Sequence, residues 1–418
     1  MSLIAQALDR MRAKADGASE ARPFSDLSAH KMIRQGQKMG AMLGIDTPFF
    51  RSTEGMQGRM TLIDNKPVLN FAWCDYLSLS QHSELIAAAK SAIDQYGTTV
   101  SASRMVSGDT PLHRDLENEI AEFVGVDASI VFVSGHAANV STIATLMTDR
   151  DLIVHDEFVH NSAIVGMRLS GATARSFHHN RPEKLEALLR EERGKYRNCL
   201  VVIEGLYSTE GDVSDLARVV EIKEKYGAWL MVDDAHGAGV LGKTGRGLAE
   251  HCGVNPRKVD VWMGTLSKAF ASVGGYIAGN TELIEILKHS APGFVYSVGL
   301  PPSMAAAALT ALRVVKREPG RVAHLHSNGA LFLSEARASG LDTGRSLGFG
   351  MLPIMVGAST RAVRLVHRMY CRGINASLII YPGVPLNAGR LRFFLASNVT
   401  PEEIRTAILT VKEEIKKV

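Results

Sequence analysis

The sequence predicts an α/β protein, in which a large domain with a mostly parallel sheet and helices on both faces is followed by a smaller C-terminal α/β domain. Three observations predict it. Short, continuously apolar runs recur through the middle of the chain, the pattern of strands buried on both faces. Stretches with helical periodicity separate them. At 418 residues the chain also exceeds the size at which a single core stops growing.

Residues 1–50 read as an N-terminal helical arm, with Leu3, Ile4, Ala7, Leu8 and Met11 on one helix face. Such a face either packs on the chain's own dimer or docks a partner. The large domain is expected over 51–300, with strands SIVFVSG, LIVHDEF, CLVVIEG, WLMVDDAH, KVDVWMGT and GGYIAGN. Helices such as PEKLEALLREERGKY and LARVVEIKEKYG lie between them. The smaller domain, 301–418, opens on the long helix in LPPSMAAAALTALRVVKREPG. It continues through MLPIMVG, the helix RAVRLVHRMYCRG, INASLIIYP and RLRFFLAS. In the closing TPEEIRTAILTVKEEIKKV, Thr400, Pro401 and Glu403 supply N-cap, first-turn proline and capping-box acid.

Composition narrows the functional class. The 47 basic and 43 acidic residues are interspersed, with no basic block of the kind that binds nucleic acid. Cys74, Cys199, Cys252 and Cys371 are scattered without CxxC spacing, which predicts no zinc site and a reducing, cytoplasmic setting. The N-terminal residues match neither a signal peptide nor a membrane span.

One short match is misleading. GAGVLGKT, Gly237 to Thr244, fits the phosphate-loop pattern. That loop requires a strand ending in the glycines and a helix beginning at the Lys-Thr. Here DDAH intervenes and TGRG follows, so a nucleotide-hydrolase reading is rejected.

GTLSKAFASVGGY, from Gly264, poses the chemical question: Lys268 interrupts a small-residue, apolar run, where an unpartnered ammonium is costly. Ligands in open α/β sheets gather at the carboxyl ends of the strands. The ends offer Ser134, Gly135, His136, His160, Glu204, Ser208, Asp233, His236, Thr265, Ser267 and Lys268. A lysine so placed suits an aldehyde cofactor held as a Schiff base, which removes the ammonium. Pyridoxal phosphate further needs an acid at its ring nitrogen, for which Asp233 serves. It needs a phosphate cup, which Ser134, Gly135, His136 and Thr265 supply at a strand-to-helix turn. It needs a flat group over the ring, for which His160 is the candidate.

The motifs NFAWCDYLSLSQH, TTVSASRMVSGDTPLHRDLE, FVSGHAANV, HDEFVHNS, IEGLYSTEGD, VDDAHGAGVLGKTGRG, GTLSKAFASVGGY, YSVGLPP and RLRFFLAS carry a resemblance from Phe49 to the end. The sequence resembles the α-oxoamine synthases, fold-type I pyridoxal phosphate transferases that include serine palmitoyltransferase, 8-amino-7-oxononanoate synthase, glycine C-acetyltransferase and 5-aminolevulinate synthase. By that resemblance Lys268 binds the cofactor aldehyde, Asp233 pairs with the ring nitrogen, and His236 and Ser208 approach the ring hydroxyl. His160 stacks on the ring, and Gly135, His136 and Thr265 hold phosphate. Ser297 reaches the phosphate of a neighbouring subunit, which implies an obligatory homodimer with shared active sites. Arg392 stands where the amino-acid carboxylate is bound. Departures fall on the substrate side: Cys74 replaces a common asparagine, Ser78 a common glycine, and ASNVT lacks the histidine of the usual AxHT. The likeness extends to oxoamine synthase modules of polyketide-type assembly lines.

The resemblance implies a decarboxylative Claisen-type condensation of glycine, alanine or serine with an acyl thioester, presented by coenzyme A or an acyl-carrier protein. The alternative on the same fold is an aminotransferase or amino-acid lyase. It shares Lys268 and Asp233 but not the DDAHGxGxxGxxGRG run.

Overall fold

The computed structural model describes residues 23–42, 44–45 and 47–418. The apolar face at Leu3, Ile4, Ala7, Leu8 and Met11 lies outside the described residues. Within the arm a helix does form at Ser28–Met42, none of it buried by the rest of the chain.

Strands β1 (Thr53–Glu54), β2 (Met60–Ile63) and β3 (Lys66–Phe71) come first. Then follow β4 (Ala128–Phe132), β5 (Leu152–Asp156), β6 (Thr173–Phe177), β7 (Cys199–Glu204), β8 (Trp229–Asp233), β9 (Val261–Thr265) and β10 (Gly275–Gly279). These build a seven-stranded sheet in the order β4-β10-β9-β8-β7-β5-β6. The pairs from β6 through β9 are parallel, while β10 runs antiparallel to both β4 and β9. The six apolar runs read from the sequence are the strands β4, β5, β7, β8, β9 and β10. The remaining strand, β6, is an edge strand with Ala174, Arg175 and Ser176 exposed, so it lacks the apolar signature.

Helices cover both faces, and the strand period distributes the core accordingly. Val201 and Ile203 join one apolar cluster with Val232 and Trp262, whereas Leu200 and Val202 join a second with Met231 and Met263. Polar side chains are therefore concentrated beyond the strand ends, which is what positions the site.

The smaller sheet adds β11 (Met351–Gly357), β12 (Ile374–Ile379) and β13 (Gly389–Phe394), in the order β1-β2-β3-β12-β13-β11. Here the structure departs from the division expected at residue 51. Strands β1 to β3 hydrogen-bond to the C-terminal strands, with Leu69 of β3 parallel and opposite Ile374 of β12. Local periodicity marks a strand but leaves its partner open, and β12 supplies the edge that lets the buried run Val68 to Phe71 pair. The helix Pro302–Arg317 packs back on helices Ser83–Tyr96 and Pro111–Val124. A further helix, Gly320–Ala338, packs against β11 and the terminal helix Pro401–Glu414. That terminal helix has the expected capping box: Thr400 Oγ1 accepts the Glu403 amide at 3.3 Å, and Glu403 accepts the Thr400 amide at 2.9 Å.

Candidate active site

The carboxyl ends of β4, β5, β7, β8 and β9 converge on one cavity of about 230 Å³. Ser134, Gly135 and His136 line it from the turn after β4, His160 from beyond β5 and Ser208 from beyond β7. Asp233 closes β8 with His236 beyond it, and Thr265 closes β9 with Lys268 beyond it; all four line the same space. Cys74, Arg392 and Ser297 are not among its lining residues.

The turn after β4 is an anion cup. Ser134 caps the helix Gly135–Leu146, its Oγ accepting the Ala137 amide at 3.0 Å and its carbonyl the Ala138 amide at 3.0 Å. The amides of Gly135 and His136, at the start of the helix, are left to face a ligand, where the helix dipole favours negative charge. Glycine is needed at Gly275 and gives the closest packing at Gly135. A Cβ on Gly275 of β10 would come within 2.4 Å of the Gly135 Cα, and one on Gly135 would come within 3.3 Å of Thr265 Oγ1.

At the opposite wall, Asp233 is held by two donors, Asn139 Nδ2 at 2.7 Å and the Ala235 amide at 3.1 Å. Asn139 also donates to Ser162 Oγ at 2.9 Å and is only 1% exposed. Sequence reading overlooked it. The available signal was an amide inside a helix of otherwise small and apolar residues, one turn beyond Ser134. His236 Nδ1 lies 2.7 Å from the hydroxyl of Tyr76, a second residue without an assigned role. Burial pushes the His236 imidazole well below its ordinary range, helped by Lys268 and Arg392.

Burial likewise lowers the Lys268 ammonium, although Asp233, Cys74 and Glu204 pull the other way. The amine is thereby made more available as a nucleophile. Glu204 is 4% exposed, with Oε1 unpartnered, and burial followed by the neighbouring Asp233 raises its carboxyl well above the usual range. The backbone amides of His160 and Ser208 pull its carboxyl the other way.

Arg392 lies just outside the cavity wall. Its Nη1 donates to the Ser208 carbonyl at 2.9 Å and Nη2 meets Ser377 Oγ at 3.4 Å, while Nε is buried without a partner. Cys74 shares this neighbourhood: burial raises its thiol, against the charges of Lys268 and Arg392. Ser297 sits apart, its hydroxyl donating to the Val298 carbonyl at 3.3 Å beside the 87% exposed Tyr296.

These residues fit pyridoxal phosphate. The cup leaves little room for a Cβ, the acid is oriented by two donors, and three buried polar atoms, Asn139 Oδ1, Glu204 Oε1 and Arg392 Nε, lack partners among the described residues. The rejected phosphate loop has another purpose. Lys243 and Thr244 lie in a bend rather than at a helix start, and Gly205, Gly237 and Gly247 surround the Asp234 carboxyl so closely that a Cβ on any of them would come within 2.0 Å of it.

Comparisons with known proteins agree with this geometry. The family described as aminotransferase class I and II matches residues 66–411. The chain is 40% identical to 8-amino-7-oxononanoate synthase of Fervidobacterium nodosum over 361 residues, covering 86% of this chain and 91% of that relative. Serine palmitoyltransferase of Sphingomonas wittichii has a similar structure, with a TM-score of 0.90 at 27% identity over 95% of this chain and 99% of the other. A serine palmitoyltransferase structure solved with pyridoxal phosphate also has a TM-score of 0.90, at 26% identity over 95% and 99% of the two chains.

Proposed function

The chain belongs to the α-oxoamine synthases, pyridoxal phosphate-dependent acyltransferases of the aminotransferase class I and II family, and from that premise we propose that it condenses glycine, alanine or serine with an acyl thioester. Carbon dioxide and a free thiol leave, and an α-aminoketone remains. One observation carries the reading: nine residues from five strand ends line a single cavity that fits the cofactor.

Pyridoxal phosphate, when bound, supplies an electron sink for the carbanion at the amino acid's α-carbon. Ser134, Gly135, His136 and Thr265 would hold its phosphate, Asp233 its ring nitrogen, His236 and Ser208 its hydroxyl, and His160 its ring face. Lys268 would hold the aldehyde, and its ε-amine, when free, would move the amino acid's α-proton. Arg392 receives the substrate carboxylate through its unpartnered Nε. Cys74 borders the same position.

We further infer a homodimer in which Ser297 completes the partner's phosphate site; the exposed Tyr296 and Val298 on either side support this. Coenzyme A or an acyl-carrier protein presents the acyl group. A cytoplasmic setting is supported by four free cysteines, and no helix among the described residues is long and apolar enough to cross a membrane. The division into a 1–50 arm, a 51–300 large domain and a 301–418 small domain remains our proposal for chain order, with β1 to β3 lent to the smaller sheet.

Visible absorption spectra test the assignment. Wild type should show a protein-bound cofactor band that Lys268→Ala lacks, and one of the three amino acids should shift it. Thiol release from an acyl thioester should then require that amino acid. A protein that stays colourless with added cofactor, or transfers amino groups without consuming thioester, would overturn the reading.

A further inference from the structure

Outside the cavity lies a buried charge cluster to which neither the motifs nor the mechanism assigns a role. His179 follows β6, and its ring is 2% exposed. Its Nδ1 lies 3.0 and 3.1 Å from the two carboxylate oxygens of Asp156, and its Nε2 lies 2.9 and 3.2 Å from those of Asp212. Carboxylates only accept hydrogen bonds, and a neutral imidazole carries one N–H. The geometry with both carboxylates ionised therefore requires the imidazolium.

Each aspartate is tied to a different loop of the site, Asp156 through its carboxylate and Asp212 through its backbone carbonyl. Asp156 Oδ1 accepts the Phe158 amide at 2.8 Å, two residues before His160. The Asp212 carbonyl accepts the Tyr207 amide at 3.0 Å, and the Tyr207 carbonyl the Gly211 amide at 2.9 Å, closing a turn that contains Ser208. The His179 ring also packs between these loops, 4.6 Å from the Phe158 ring and edge-on at 4.5 Å from Tyr207. We propose that His179, protonated, is a positioning residue that sets the separation of the His160 and Ser208 loops and so couples cofactor binding to its own protonation. This rests on the assignment of the cavity to pyridoxal phosphate.

Loss of the proton removes one of the two N–H bonds and leaves Asp156 and Asp212 facing each other across a neutral ring. Burial opposes the charge, but the two carboxylates outweigh it and hold His179 up to about 9. The other charged or titratable groups at this junction are Glu157, which accepts the His179 amide at 2.8 Å and lies 3.7 Å from His178, and the Tyr207 phenol. Asn180 Nδ2 shares the Asp212 carboxylate at 2.9 Å.

The test is the pyridoxal phosphate dissociation constant, read from cofactor absorbance between pH 7 and 10.5, for wild type, Asp212→Asn and His179→Gln, with thermal unfolding at pH 7.5 as the check on folding. Wild-type affinity should fall as pH rises through about 9. Asp212→Asn should move that midpoint down by about one to three pH units. His179→Gln should bind weakly at neutral pH and lack the inflection. Variants that melt earlier but keep the wild-type pH profile would overturn the proposal. If the variants do not fold, nitrogen-15 NMR of wild-type histidines decides: a His179 imidazole already neutral at pH 8 overturns it. A protein that takes up no cofactor at any pH overturns the site assignment, and the proposal with it; uptake with a flat profile overturns the proposal alone.

Discussion

Tyr76 Oη lies 2.7 Å from Nδ1 of His236, and this contact orients that imidazole. Burial holds the Tyr76 hydroxyl well above the ordinary phenol range, so it keeps its proton. Burial pushes the His236 imidazole well below its ordinary range, and it meets that hydroxyl through Nδ1. Tyr76→Phe is expected to leave Nδ1 unsatisfied, at about 1–3 kcal/mol, and to shift the bound-cofactor absorption band. An unchanged spectrum with unchanged stability would refute the coupling.

Asn139 donates to Asp233 and Ser162 at once, so its two replacements separate charge from packing. Asn139→Ala should weaken cofactor binding by removing one donor. Asn139→Asp should weaken it further, because it sets a second carboxylate within 2.7 Å of the first. Equilibrium titration with pyridoxal phosphate checks the order, and the reverse order would count against the assigned role of Asp233.

Arg392→Lys keeps the charge but loses the planar fork. The KM for the amino acid should rise about tenfold or more, while that for the thioester moves little, since a charge-assisted hydrogen bond is worth about 1.5–3 kcal/mol. Steady-state kinetics with each substrate varied in turn would expose a uniform loss, which would assign Arg392 to holding the Ser208 carbonyl alone.

Gly205→Ala would bring a Cβ within 1.9 Å of Asp234 Oδ1. Overpacking of this kind costs about 1–3 kcal/mol. Burial also raises Asp234 to about 8, so the folded state favours its protonated form. Its contribution to stability is fully present below the ordinary carboxylate range and is lost as pH rises toward 8. Asp234→Asn should flatten that decline in urea midpoints measured from pH 5 to 9.

His179 imposes an alkaline limit on stability as well. With its imidazolium held up to about 9 in the fold, its contribution is complete below the unfolded value of 6.5 and is lost as pH rises through 9. Urea midpoints of wild type should fall across that interval, whereas those of His179→Gln should be lower at pH 6 and fall less steeply. Parallel curves would mean that the buried cluster is uncharged.

Much of the site was legible because each of its residues ends a strand whose apolar run announces itself. Lys268, Asp233 and the Ser134 turn could be placed from local pattern alone. Asn139, Tyr76 and His179 could not. Their partners lie 94, 160 and 33 residues away respectively, and no local period encodes such pairings. The edge strand β6 was missed because solvent lets its side chains be polar.

By itself, then, the sequence determined the α/β class, six of the seven strands of the large sheet and the chemistry gathered at their ends. These follow from burial on both faces and from short-range turn and capping geometry. Only the tertiary structure decided that β1 to β3 join the C-terminal sheet, that Tyr76 meets His236, and that one imidazolium ties two site loops together. Those depend on which distant segments share a low-dielectric interior, where an unpaired polar group is costly and so its partner is specified by packing rather than by spacing.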